Sequence, residues 1–260
     1  MPILAGYHFL AHAAEERHLK RPPVILIHGA GGSHLTWPPQ IRRLADETVY
    51  ALDLPGHGQS EGTGRHSIDE YADDVLAFMN AIKIRSAVLA GISMGSAIAL
   101  TFALKYPEKV AGLALLGGGA KMRVSSSILE TAGNPDVFEA VLEMINKNCF
   151  SAHAPQNLVR LSKQNLMKIR PPVLLGDFLA CNEFDMTGQL QRISTPALIL
   201  CGTEDRMMPL KFSQSLHQGL ANSQLHVLEN AGHMVMLEQP ERVAKFLKQF
   251  MDELTLRPTF

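Results

Sequence analysis

Hydrophobic positions in this chain follow two alternating rhythms. Short continuous apolar runs, Val24-Ile25-Leu26-Ile27 and Thr48-Val49-Tyr50-Ala51-Leu52, stop at His28-Gly29 and at Asp53. Apolar runs of that length, closed by such residues, predict strands buried on both faces of a parallel sheet. Elsewhere the spacing lengthens. After Ser67-Ile68-Asp69-Glu70, a capping box with Ser67 as N-cap and Glu70 at N3, the residues Ile68, Tyr71, Val75, Phe78 and Ile82 recur at helical intervals. A strand over Ala87–Ala90 follows, then a helix through Ala97, Ile98, Leu100 and Leu104 that ends at Tyr106-Pro107, then a strand over Val110–Leu116.

The alternation breaks from about Lys121 to Gly188, where only helical patterns occur. Asn134-Pro135 is expected to start one helix with Val137, Val141, Met144 and Ile145 inward, and Pro155 another. Strand and helix signals resume with Ala197–Cys201, a helix around 210–219 and a strand over Gln224–Leu228. A closing helix has Pro240 at N1 and Val243, Phe246, Leu247 and Phe250 inward. The expected fold class is α/β, a mostly parallel central sheet flanked by helices. Residues 1–120 and 189–260 form its core domain, and residues 121–188 an inserted helical cap.

Composition narrows the function classes. At 260 residues and 46% hydrophobic, the chain has ample material for a large core. Its 24 Lys and Arg against 25 Asp and Glu leave a net charge of -1, so no bulk field gathers nucleic acid or anionic lipid, and neither is an expected partner. Cys149, Cys181 and Cys201 have no C-x-x-C spacing and are expected to be buried thiols in a reducing compartment. With no secretion signal in MPILAGYHFLAH, the expected location is cytoplasmic. The uncharged stretch from Ser86 to Leu104 is long enough to span a bilayer, but its glycines and hydroxyls predict strand, tight turn and buried helix instead.

That turn carries the candidate chemistry. In Gly91-Ile92-Ser93-Met94-Gly95 a serine stands between a strand end and a helix start, with glycine two residues away on each side. Such a turn thrusts the hydroxyl outward and aims the first helix amides at whatever the oxygen attacks. A neutral serine is a poor nucleophile and needs a base and an orienting acid. Ligand sites of open α/β sheets lie at strand ends, where Glu204-Asp205 and His233 follow the last two strands. His34, His66, His153, His217 and His226 show no metal-ligand spacing, so neither a metal nor any other cofactor is expected.

Five stretches in this order resemble the α/β-hydrolase superfamily: HGAGGS at 28–33, DLPGHGQS at 53–60, GISMG at 91–95, GTEDRMMP at 202–209 and AGHMVMLEQPERV at 231–243. The likeness is to serine carboxylesterases and enol-lactonases with a helical cap, and covers nearly the whole chain except that cap. It implies that Ser93 attacks, His233 takes and returns its proton, and Asp205, with Glu204 as the alternative, holds the imidazolium. The strand ending at Leu116 is followed by no carboxylate, which removes the other position from which this superfamily draws its acid. The oxyanion hole is expected to use the backbone N–H groups of Ala30 and Met94. His28, Asp53 and His57 are expected to brace loops. Met122, Met207 and Met234 are expected to line the substrate pocket.

The expected reaction is hydrolysis of a small, largely apolar carboxylic ester through an acyl-enzyme. Serine at position 93 argues against haloalkane dehalogenases and epoxide hydrolases, which place aspartate there. Carbon-carbon hydrolases of ring-cleavage products keep the serine but often carry an aromatic residue after the histidine, where this chain has Met234. They are the alternative, beside a non-catalytic ligand receptor on the same fold. Lys121 and Arg123 are read as solvated surface charge rather than as a carboxylate site.

Overall fold

A computed structural model describes residues 3–14 and 21–256; the outermost residues of the expected core, 1–2 and 257–260, lie outside the described part. The eight strands are β1 (Ile3–Leu4), β2 (Tyr7–His12), β3 (Val24–Ile27), β4 (Val49–Leu52), β5 (Ala87–Ile92), β6 (Val110–Leu116), β7 (Ala197–Gly202) and β8 (Ser223–Leu228). They form one sheet in the order β1-β2-β4-β3-β5-β6-β7-β8. From β4 to β8 all pairings are parallel, while β2 runs antiparallel to β1 and β4. The sequence pattern signalled every parallel strand and missed the first two. Tyr7–His12 lies towards one edge and is only partly buried, so its alternation is short and diluted by two histidines.

Helices cover both faces because the strands are apolar on both. On one face α2 (Ile68–Ala81), α3 (Met94–Lys105) and α8 (Leu210–Gly219) pack over residues such as Ile27, Leu89 and Leu113. On the other lie α1 (Pro39–Arg42), α9 (Val235–Glu238) and α10 (Pro240–Leu256), against Leu26, Val88 and Leu198. Helix α3 is buried all round from Met94 to Ala103, which accounts for the uncharged sequence of that stretch; no described helix is long and apolar enough to cross a membrane. The expected capping box at α2 is half formed. Ser67 Oγ accepts from Glu70 N–H at 3.2 Å, but the Glu70 carboxylate turns to the Ser67 hydroxyl and the His66 N–H.

Between β6 and β7 run α4 (Ser126–Thr131), α5 (Phe138–Cys149), α6 (Gln156–Leu166) and α7 (Pro171–Glu183), with a small apolar cluster of their own. The helix expected at Asn134-Pro135 begins later, since Asn134 Oδ1 accepts from Asp136 N–H at 3.0 Å and holds a turn there. Its buried face runs through Val141, Leu142 and Ile145, leaving Val137 38% and Met144 41% exposed, contrary to the inward positions expected for both. Starting at Phe138 sets the apolar stripe to 138, 141, 142, 145 and 149, and Met144 falls beside it. Replacing Met144 by Gln is therefore expected to change stability by less than about 0.5 kcal/mol, whereas Ile145→Ala costs about 2 kcal/mol or more. Urea denaturation of both variants checks this, and equal losses would restore the sequence-based face.

Candidate active site

Strand β5 ends at Ile92 and α3 begins at Met94, so Ser93 alone makes the turn. Its backbone sits at φ +55°, ψ −118°, a conformation that costs an L-residue about 1–3 kcal/mol. The flanking glycines make it possible. A Cβ on Gly91 would stand 2.1 Å from the Gly95 carbonyl oxygen, and one on Gly95 would stand 2.3 Å from that of Ile27. The Ser93 N–H donates to Leu116 O at 2.9 Å, tying the turn to the end of β6. Among the described residues the Ser93 hydroxyl has no hydrogen-bond partner and faces a cavity.

The loops after β7 and β8 meet above the same strand ends. His233 Nδ1 donates to Asp205 Oδ2 at 2.8 Å, with both side chains withdrawn from solvent. Asp205 Oδ1 accepts the N–H groups of Met207 at 2.9 Å and Met208 at 2.7 Å, so the carboxylate is fixed from both sides. Glu204 turns away, accepting from Ala152 N–H at 3.0 Å and standing 3.4 Å from His153 Nε2. Gly117 lies beneath the pair at φ +48°; a Cβ there would come within 2.9 Å of His233 Nδ1. With Nδ1 donating, Nε2 is the nitrogen left as proton acceptor, and His233 lines the same cavity as Ser93.

Gly29, Ala30, Gly31 and Gly32 form another wall of that cavity. Among the described residues the N–H groups of Ala30 and Met94 have no acceptor within the chain, leaving two donors free to meet a negative oxygen. Met207 and Met234 line the cavity as expected. Met122 does not. Its N–H donates to Phe184 O at 3.3 Å beside a bridge between Lys121 and Asp185, which directs its side chain into the core, 4% exposed. Lys121 pairs with Asp185 and Arg123 donates to Asn182 O at 3.4 Å, so neither reaches the cavity. Cys149, expected in the core, is instead half-buried on the cavity wall, its thiol kept protonated by burial and by the nearby Asp205 and Glu238, which push its pKa up to about 12.

The bracing residues do what their motifs implied. His28 is neutral, its pKa lowered to about 4 by burial and by His57; Nδ1 donates to Gly29 O at 2.8 Å and Nε2 accepts from Leu54 N–H at 3.1 Å. Asp53 gathers His8 Nδ1 at 2.7 Å, His34 N–H at 2.6 Å, the His34 ring at 2.9 Å and Gln59 N–H at 3.0 Å. Burial opposes its charge, but the donors of His34 and Gln59, with the nearby His28, hold its pKa well below the usual carboxylate range. Sequence spacing did not bring His8 and His34 together, and with Asp53 they are close enough to hold a metal ion. Hydrogen bonding to a loop carboxylate already accounts for the cluster.

Phe178, one of the apolar residues that the sequence of the helical segment offers for an apolar group, lines the cavity. Sequence reasoning missed Asn146, Ser162, Asn165 and Leu166, which line it too, and Asp177 on α7, which reaches the glycine loop. The i, i+3, i+4 spacing of Ser162, Asn165 and Leu166 was the available signal, a single face of α6.

The model of the alpha/beta hydrolase family matches residues 24–246. The chain is 28% identical to a 2-hydroxymuconate semialdehyde hydrolase from Pseudomonas putida, over 96% of this chain and 93% of that protein. It is 30% identical to a 2-hydroxy-6-oxononadienedioate/2-hydroxy-6-oxononatrienedioate hydrolase from Paraburkholderia phymatum, over 88% of this chain and 87% of that one. It also superposes on a thermophilic esterase from Thermogutta terrifontis, solved with malate bound, with a TM-score of 0.85 and 25% identity, covering 95% of this chain and 93% of the esterase.

The strain at Ser93 makes a prediction. Ser93→Gly removes about 1–3 kcal/mol of backbone strain and adds about 0.5–1 kcal/mol of unfolded-state entropy. A net gain of about 1 kcal/mol raises Tm by about 2–4 °C, measurable by calorimetry; a lower Tm would contradict the strain.

Proposed function

The chain belongs to the alpha/beta hydrolase family, and from that premise we propose that it is a serine hydrolase cleaving a small, uncharged carboxylic ester through an acyl-enzyme. The observation that carries this reading is the buried Asp205–His233 hydrogen bond, which directs the imidazole to the cavity that Ser93 faces. His233 Nε2 removes the hydroxyl proton as Ser93 Oγ attacks the ester carbonyl, and returns it to the departing alcohol. Asp205 keeps Nδ1 protonated and steadies the imidazolium. The carbonyl oxygen, negative in the tetrahedral intermediate, takes hydrogen bonds from the Ala30 and Met94 N–H groups, each such donor being worth about 10²–10³ in rate. Water, deprotonated by the same imidazole, then releases the acid.

The cavity wall suggests what is cleaved. Among the described residues no Lys, Arg, Asp or Glu lines it, and Ile145, Phe178, Met207 and Met234 give it an apolar surface. A carboxylate inside would lose its hydration without gaining a cation. The names of the two hydrolase relatives describe substrates bearing one or two carboxylates, as a muconate and a dioate do. Carbon-carbon cleavage of such compounds remains the second reading on the strength of that likeness, and the uncharged wall supports the ester. Residues 121–188 act as a cap, supplying Asn146, Ser162, Asn165 and Phe178 to the wall. We place the protein in the cytoplasm, where its three free cysteines stay reduced.

Turnover of p-nitrophenyl butyrate tests the reading. Wild type is expected to hydrolyse it, to be labelled on Ser93 by a serine-directed phosphonate and to lose at least about 10³-fold with Ser93→Ala. Butyrate is expected to exceed the hemisuccinate ester of the same phenol at least about tenfold in kcat/KM. Full turnover by Ser93→Ala would remove the nucleophile, and faster loss of 2-hydroxymuconate semialdehyde than of any ester would favour carbon-carbon cleavage.

A further inference from the structure

The glycine loop is held from above by a residue outside every recognisable motif. Asp177 lies on α7 with its side chain fully buried. Its Oδ2 accepts the Gly31 N–H at 2.8 Å and His57 Nε2 at 2.8 Å, and its Oδ1 accepts the Tyr71 hydroxyl at 2.6 Å. Gly31 directly follows Ala30, whose own N–H is left free toward the cavity. Leu166 of α6 and Leu174 of α7 close over Gly31, so the loop is packed as well as hydrogen-bonded.

The protonation states agree with that geometry. His57 Nδ1 stands 3.0 Å from Pro55 O and Nε2 stands 2.8 Å from the Asp177 carboxylate. Both nitrogens face acceptors, which requires both to carry protons. Burial opposes the charge, yet Asp177 raises the His57 pKa above the ordinary imidazole value. The neighbouring His28 ring, 4.7 Å away, stays neutral, so a single cation faces the carboxylate.

We propose that Asp177 is a positioning residue for catalysis: paired with His57, it fixes the Gly31 amide and through it aims the Ala30 N–H at the oxyanion, making the donor geometry depend on a docked helical segment. This rests on the hydrolase reading. An ordinary structural role would move stability alone, whereas a positioning role reaches the transition state, because a donor is effective only where the oxyanion forms. Asparagine at 177 offers one acceptor oxygen to three donors and removes the charge opposite His57, so the clamp fails whichever way the amide turns. Tyr71→Phe removes a hydrogen bond to Oδ1 and leaves the Gly31 contact at Oδ2 intact.

The test compares Asp177→Asn and Tyr71→Phe with wild type, using p-nitrophenyl butyrate kinetics, the rate of Ser93 phosphonylation and Tm. The expected result is a lower Tm in both variants. Only Asp177→Asn loses kcat, by about tenfold or more, with KM within about twofold and phosphonylation slowed in parallel. Unchanged kcat in Asp177→Asn, or an equal loss in Tyr71→Phe, overturns the proposal. Should Asp177→Asn not fold, amide hydrogen exchange of wild type decides: Gly31 is expected to be strongly protected while Ala30 exchanges fast, and equal rates overturn the clamp. A wild type that phosphonate does not label would overturn the hydrolase reading instead, with Gly31 exchange still judging the clamp.

Discussion

A carboxylate taken out of water must be surrounded by donors, and three of them organise the loops above the carboxyl ends of the strands. Asp53 gathers the turn after β4, Asp177 joins α7 to the glycine loop, and Asp205 fixes His233. None is exposed, and each takes at least three N–H or O–H groups. Stripping one partner from a buried charge costs about 3–5 kcal/mol, so each loop has one arrangement that is much better than its alternatives. The loops that contribute Gly29–Gly32, Asp205 and His233 are irregular, and anchoring of this kind gives them the definition that regular hydrogen bonding gives to strands.

The serine is held differently. Its backbone conformation is unfavourable in itself and persists because β5 and α3 on either side are buried almost completely and cannot shift. Gly91 and Gly95 let those elements approach more closely than any side chain would allow. Stability of the sheet is thus spent on a strained position, and the return is a hydroxyl lifted clear of its own backbone with the free first amide of α3 beside it. Strain at Ser93 and saturation at Asp205 are complementary: among the described residues the Ser93 hydroxyl has no hydrogen-bond partner, whereas the Asp205 carboxylate is held at both oxygens.

The parallel sheet was legible because most of its strands are apolar runs closed by a turn residue, as in Val24–Ile27 or Ala197–Gly202, while β8 shows through Leu225, Val227 and Leu228. Ser93, Asp205 and His233 share one end of the sheet because each follows one of its parallel strands, β5, β7 and β8, where chain direction alone puts them. The choice between Glu204 and Asp205 was not decidable from adjacency; which carboxylate reaches His233 depends on the Met207 and Met208 amides that take the second oxygen of Asp205. Met122 misled for a related reason. Its neighbourhood in sequence suggested the pocket, but the bridge at Lys121 reverses the expected facing. Tyr7–His12 escaped notice because, next to the two-residue edge strand β1, it is only partly buried and shows little periodicity in six residues.

The helical segment was least legible where it matters most for recognition. Its helices are short, and their inward faces must serve both a small apolar cluster and the cavity, so polar residues such as Asn146 and Asn165 occupy positions that a core pattern would give to leucine. The same double demand bears on specificity. A segment that both walls the cavity and, through Asp177, holds the glycine loop cannot diverge freely to accept a new substrate: α5 and α6 can change the wall, while α7 must keep its carboxylate in register with Gly31. Changes confined to α5 and α6 can therefore alter the cavity wall while leaving the Asp177–Gly31 contact in place. Among the described residues no Lys or Arg lines the cavity, so a carboxylate placed against that wall would lose its hydration with no cation to meet it.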